Sequence, residues 1–203
     1  MVAKGQFLER ATIIPVGDVV MDAVSHRGNE RPIVLVLPPT PQEGGGMDHI
    51  VGAELAWAAS QAGHPTLRFN YRGVGASQGP VSAGDALIED ALAALEAAAE
   101  NADGAAVMLA TIGGSALVAL EVARRLPKQV AGVFCVSPPE AARSPLAAAA
   151  IPLIVVVGEL DTRLPRVGLP VEAVEGADAT FQRNLPEIGK AAVRFLRRIR
   201  HTA

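Results

Sequence analysis

Val107-Met108-Leu109-Ala110-Thr111-Ile112-Gly113-Gly114-Ser115-Ala116-Leu117 reads as an apolar strand that runs into a sharp turn and then a helix. A short, continuous apolar run marks a strand covered on both faces, and paired glycines permit the reversal that follows. The helical spacing continues to about Leu126, and the strand is expected over Ala105–Ala110. Outward from this segment the same alternation repeats. Upstream, strands are expected at Phe7–Ile14 and Val19–Ser25, separated by a Gly17-Asp18 turn and paired antiparallel. Further strands follow at Ile33–Leu37 and Thr66–Phe69, with helices over Met47–Ala62 and Asp85–Ala99. Downstream come strands at Val130–Ser137, Ile151–Val157 and Pro170–Val174, and an amphipathic helix at Pro186–Arg200. Alternation of this kind predicts an α/β fold with a mostly parallel sheet and helices on both faces. Ligand sites in such sheets lie beyond the carboxyl ends of the strands. Three informative segments follow strands in that way, after Leu37, Ala110 and Val157.

Composition narrows the classes. At 203 residues with 50% hydrophobic content, the chain can bury a core as a single domain spanning 1–203. The net charge of −3 argues against a nucleic-acid partner, which would call for a basic face. The one cysteine, Cys135, lies inside an apolar run and reads as a small buried hydrophobe, so neither disulfides nor a cysteine-based zinc site is expected. No metal or cofactor is expected. The Gly44-Gly45-Gly46 run makes no dinucleotide fingerprint. No apolar run reaches the ~18 residues of a membrane span, and the N-terminus lacks a signal-peptide core, so the expected location is cytoplasmic. The alanine-rich Ala147–Ala150 reads as a connection, the remnant of a lid at most.

The segment Leu67-Arg68-Phe69-Asn70-Tyr71-Arg72-Gly73-Val74-Gly75-Ala76-Ser77-Gln78-Gly79 resembles a signature of the α/β-hydrolase superfamily, in its branch of small, capless bacterial hydrolases. That branch carries an earlier H-P-H-P…G-G-x-M-D motif, matched here by Pro38-Pro39-Thr40-Pro41 and Gly45-Gly46-Met47-Asp48. Gly158-Glu159-Leu160-Asp161 with Pro165 is similar to its acid loop. The likeness runs over roughly residues 7–200 and implies an eight-stranded α/β-hydrolase sheet without a large cap domain.

The resemblance also implies where a triad would stand. A serine hydrolase needs a nucleophile, a base to take its proton and an acid to orient the base. The nucleophile elbow G-x-S-x-G aligns with Thr111-Ile112-Gly113-Gly114-Ser115, which puts Gly113 at the nucleophile position. The acid position is Asp161. The histidine position, in Gly176-Ala177-Asp178-Ala179-Thr180-Phe181, is Ala179. Both histidines of the H-P-H-P motif are replaced, by Pro38 and Thr40. No catalytic residue is therefore expected, and the triad is degenerate.

Nearby groups have two readings each. Ser115 caps the helix N-terminus or serves as a displaced nucleophile. His49, alone among the four histidines, is expected near the site, as a solvated first-turn residue or a ligand contact. His64 belongs to the opposite end of the sheet, His26 to the outer strand pair and His201 to the tail. Asp161 caps amides of its own loop or touches a ligand, and Arg72 pins its loop by hydrogen bonds. The ligand-binding candidates are Thr40, His49, Gly113, Gly114, Ser115 and Asp161. Amides at a helix start favour a small anionic or acyl ligand. Arg194, Arg197, Arg198 and Arg200 give the last helix a basic face, either solvated or a contact for a protein partner or a second copy. Three functions follow: a non-catalytic pseudo-hydrolase acting as subunit, scaffold or small-ligand binder; an esterase or thioesterase with a rebuilt site; or a non-hydrolytic reaction on the same fold.

Overall fold

The computed structural model describes residues 8–102, 104–163 and 168–200. Eight strands form one sheet: β1 (Arg10–Val16), β2 (Val19–His26), β3 (Ile33–Leu37), β4 (Thr66–Phe69), β5 (Val107–Ile112), β6 (Val130–Val136), β7 (Leu153–Gly158) and β8 (Val171–Val174). Their spatial order is β1-β2-β4-β3-β5-β6-β7-β8. β1 and β2 pair antiparallel, as does β2 with β4, and all remaining pairs are parallel. The helices are α1 (Ile50–Gln61), α2 (Asp85–Glu100), α3 (Ser115–Arg125), the short α4 (Arg143–Ala147) and α5 (Leu185–Arg200).

The period-two alternation of the strands separates two cores. Ile33, Leu35, Leu37, Val107 and Leu109 point to the side where α2 and α3 pack. Val34, Val36, Met108, Ala110 and Ile112 point to the other side, against Val51 and Leu55 of α1 and Phe195 and Leu196 of α5. Every residue of β3 and β5 is buried, as expected of central parallel strands with helices on both faces. α5 docks through Ile188, Ala192, Phe195 and Ile199, while Arg194 pairs with Glu172 and Arg200 with Glu30 at 2.6 Å. Its basic face is thus partly neutralised within the chain.

Boundaries move by one to three residues from the sequence reading. β5 begins at Val107 and extends to Ile112, because its parallel pairing with β6 runs from Val107↔Val130 to Ile112↔Val136. α1 begins at Ile50 and not Met47, since Met47 and His49 make loop hydrogen bonds to Asn70 and Gly46. Just before the alanine-rich Ala147–Ala150 connection lie a 3-10 turn at Glu140–Ala142 and α4, which ends at Ala147. The expected strand start at Phe7, Pro165 of the acid loop and His201 lie outside the described residues. Among the described residues no helix is long and apolar enough to cross a membrane.

Two polar clusters hold the frame. Asp90 of α2 is fully buried. It accepts the Arg72 backbone amide at 3.0 Å, the Arg72 guanidinium and the Ser82 hydroxyl at 2.6 Å. Arg72 therefore pins its loop, as expected, but the anchor is a carboxylate 18 residues away. At the opposite end of the sheet, His26 is hydrogen-bonded to the Thr66 hydroxyl at 2.8 Å. His64 donates from Nδ1 to the Pro32 carbonyl, also at 2.8 Å. Burial holds both rings below their ordinary pKa of 6.5.

Removing one partner of a buried ion pair strands the other, at a typical cost of about 3–5 kcal/mol. Asp90→Ala is expected to lower the unfolding free energy by about 3 kcal/mol in urea denaturation. An unchanged midpoint would refute the anchoring role. The two histidines set a pH dependence. Their native pKa values lie below the unfolded value, so the unfolded chain takes up protons first as pH falls. The stability they contribute is present above 6.5 and is lost as pH drops through their native values. Unfolding midpoints should decline on acidification below 6.5, with a shallower slope in His64→Gln, which keeps a donor for Pro32.

Candidate functional site at the strand ends

The elbow is built at the carboxyl end of β5. Gly113 turns with φ +60° while its N–H donates to the Val136 carbonyl of β6 at 3.0 Å. An L-residue held there would be strained, which is the backbone state a nucleophile elbow imposes on its serine. Gly114 is the N-cap of α3 and Ser115 its first residue. Ser115 makes no capping bond, because its side chain is fully buried and directed elsewhere. Its hydroxyl donates to the Pro38 carbonyl and lies 3.2 Å from the Tyr71 hydroxyl. Ser115 thus ties α3 to the loop after β3 and does not face the cleft, contrary to both sequence readings.

The loop after β3 carries the residue that sequence reasoning passed over. Thr40 opens a 3-10 turn over Pro41–Glu43, and Gly44 closes it with φ +69°. The Glu43 carboxylate accepts the backbone N–H and the hydroxyl of Thr40, both at 2.9 Å on Oε2. It also accepts the Gly114 N–H, at 3.0 Å on Oε1 and 3.1 Å on Oε2. A Cβ added to Gly113 would lie 2.7 Å from Glu43 Oε1. The carboxylate therefore stands where a side chain at the nucleophile position would begin. The Thr40-x-x-Glu43 spacing with Pro41 was the available signal, since it is the pattern of a capping box.

Three further loops complete the cleft. Asp161, after β7, accepts the Arg163 N–H at 3.1 Å and two guanidinium bonds at 2.9 Å each. The Ser137 hydroxyl donates to Oδ2 of Asp161 at 3.4 Å, the oxygen that also accepts one of the guanidinium bonds. Arg163 is the main cause that holds the Asp161 carboxyl below the usual range. The amide-capping reading of Asp161 is thus joined by an ion pair that the sequence reading did not include. The loops after β7 and β8 are locked by Leu160 N–H donating to the Ala177 carbonyl at 3.0 Å, and Gly158 packs directly on the Asp178 backbone. Asp178 in turn caps the Thr180 amide and hydroxyl, at 2.9 and 2.7 Å, which fixes Ala179 between them.

These loops enclose a cavity of about 230 Å³ lined by Glu43, His49, Gly113, Ser137, Arg163 and Ala179. The structure brings Thr40, His49, Gly113 and Gly114 to this region, with Asp161 behind Arg163, and removes Ser115 from it. His49 is the N-cap residue of α1, and its Nδ1 is buried without a hydrogen-bond partner. Burial lowers the pKa of the ring, against an opposing pull from Glu43. A larger apolar hollow of about 590 Å³ lies apart from the elbow, between α3 and α4, with Leu117, Leu120, Pro145 and Ile151 in its walls. Among the described residues, no group of three or more His, Cys, Asp or Glu is placed to hold a metal ion.

No family model matches the chain, and comparison with curated proteins finds no match. Solved structures do. An α/β serine hydrolase homologue from Coxiella burnetii is 29% identical, with a TM-score of 0.78 over 92% of this chain and 97% of that one. A serine hydrolase without lid from Xanthomonas campestris is 24% identical, with a TM-score of 0.75 over 94% of each chain. Est1E from Butyrivibrio proteoclasticus, solved with ferulic acid, is 14% identical with a TM-score of 0.80, over 94% of this chain and 100% of that one. With the eight-stranded, mostly parallel sheet and no cap domain among the described residues, the chain is an α/β-hydrolase-fold protein of the capless kind.

Proposed function

We propose that this chain is a single-domain, cytoplasmic pseudo-hydrolase: an α/β-hydrolase-fold protein that serves as a subunit, scaffold or small-ligand binder and carries no serine-hydrolase triad. One observation carries the reading. At the left-handed position between β5 and α3 stands Gly113, and the space beside it is taken by the Glu43 carboxylate. Ala179 at the histidine-equivalent position supplies no base. A triad enzyme that loses its nucleophile or base alone can fall on the order of 10⁶ in kcat. The displaced-nucleophile alternative loses support from the burial of Ser115 and its bond to Pro38. Ser137 lines the cavity, but its hydroxyl is directed to Asp161, whose carboxyl is held below its ordinary pKa by Arg163 and is therefore a weak base. The apolar hollow between α3 and α4, with Leu117 38% exposed, favours a protein partner or a second copy over the basic face of α5.

A fluorophosphonate probe should leave the protein unlabelled by intact mass, and short-chain esters should turn over no faster than in buffer. Stoichiometric labelling of Ser137 or Ser115, abolished by the corresponding alanine variant, would overturn the reading.

Rebuilding the triad is expected to cost stability. Gly113→Ser with Ala179→His places an L-residue at φ +60° and forces Glu43 aside. The double variant should be less stable than the parent by about 1–2 kcal/mol in urea, with weak ester hydrolysis at best. A variant more stable than the parent would contradict the elbow geometry.

A further inference from the structure

A bare helix start behind a side-chain-free turn is a natural anion site, because its N–H groups lack partners. Here the elbow amide has a partner from within the chain. The Gly114 N–H donates to both oxygens of Glu43, at 3.0 and 3.1 Å. The carboxylate is itself fixed from behind by the amide and hydroxyl of Thr40. Its loop is short and stiff: Pro41 starts the 3-10 turn, Gly44 N–H donates to the Pro41 carbonyl at 3.0 Å, and Gly45 N–H to the Thr40 carbonyl at 3.2 Å. An intramolecular ligand on a short connection acts at an effective concentration of mM or more, on the order expected for linked groups. A free anion has to displace it at that concentration.

The charges around the cavity act in the same direction. Glu43 faces it with a negative charge, and Arg163 lines it with a positive charge that is already paired by two bonds with Asp161 behind it. His49 adds no compensating charge at neutral pH, since burial lowers its pKa. A second anion brought to Gly114 would meet the carboxylate of Glu43 at contact distance, and Arg163, the cation lining the cavity among the described residues, is already paired.

We propose that Glu43 is the specificity-determining residue of this cleft: its carboxylate occupies the elbow amide as a built-in ligand and bars carboxylates and other anions from it. The inference rests on the pseudo-hydrolase reading, because a side chain at position 113 would push the carboxylate from the place it takes here. It also replaces the anionic ligand expected from the sequence, whose position this carboxylate already fills.

The test is a titration of the full chain with acetate, followed by the ¹⁵N–¹H resonance of Gly114. In the wild type that resonance should stay put. In Glu43→Ala it should move saturably, with apparent affinity for acetate at least tenfold above the parent. Glu43→Gln keeps an oxygen acceptor for Gly114 without the charge, and should lie between the two. A wild-type Gly114 resonance that responds to acetate as the alanine variant does would overturn the proposal. So would an alanine variant that folds, by its dispersed spectrum, yet shows no gain. Fluorophosphonate labelling of the same samples reports separately on the pseudo-hydrolase reading, so the failure of one is not mistaken for the failure of the other.

Discussion

The left-handed turn at Gly113 is the constraint around which this end of the molecule is arranged. With φ at +60° and its N–H on Val136, the chain leaves β5 and enters α3 without a connecting loop. The first free amide of the helix is thereby set at the carboxyl edge of the sheet, between the loops that follow β3, β6 and β7. In an L-residue the same turn costs roughly 1–2 kcal/mol. Glycine removes that strain and the side chain together, and leaves a small volume beside an unpaired donor. Both needs are met by one group, the carboxylate of Glu43, so the glycine at one position and the loop geometry at another form a single arrangement.

The segment that most resembles the capless hydrolases serves the frame in this chain. The Arg68 guanidinium donates to the Met47 carbonyl and pairs with Glu9. The Asn70 side chain accepts the Met47 amide at 2.7 Å and donates to Asp22 at 3.2 Å. Tyr71 packs edge-on against Phe69, with ring centroids 5.0 Å apart, and meets Ser115. Arg72 holds α2 through Asp90. Buried polar groups of this kind are costly to leave unpaired, so removing any one exposes the desolvation cost of its partner. Such a network can persist whatever side chains stand at the triad-equivalent positions, because it never touches them.

Sequence reading reached the fold because it depends on patterns with a period. The apolar runs at Ile33–Leu37 and Val107–Ile112 are short, rich in β-branched residues and bounded by proline or glycine, the marks of strands covered on both faces, and the glycine pair after Ile112 marks a turn. Boundaries were less legible, since Ala105 and Met47 differ from their neighbours in hydrogen-bond partners and not in polarity. At the site, Gly113, Asp161 and Ala179 are picked out by local motif spacing through the resemblance alone. The partnerships that decide its chemistry do not. Glu43 reaches an amide 71 residues away, and Ser115 donates to a carbonyl 77 residues away. Both bonds exist because parallel strands β3 and β5 are neighbours, a fact of strand order that no local window contains. The Asp161–Arg163 pair is local, yet two charges two residues apart are as often solvated as joined.

Where chemistry is placed on a fold governs how easily it is lost. Gly113 and Ala179, the positions that the resemblance pairs with a nucleophile and a base, sit on turns beyond the strand ends, outside both apolar cores and outside the Arg68–Asn70–Arg72 network. Substitution there removes no core contact and strands no buried partner, and at Gly113 it relieves backbone strain. The opposite holds for Asp90 or Phe69, where the cost falls on folding itself. A chain can therefore keep the architecture of a hydrolase in detail while nothing in that architecture obliges it to keep the hydrolase's reaction. What binds at such a turn is then set by the groups beside it, and here the first of them is the Glu43 carboxylate.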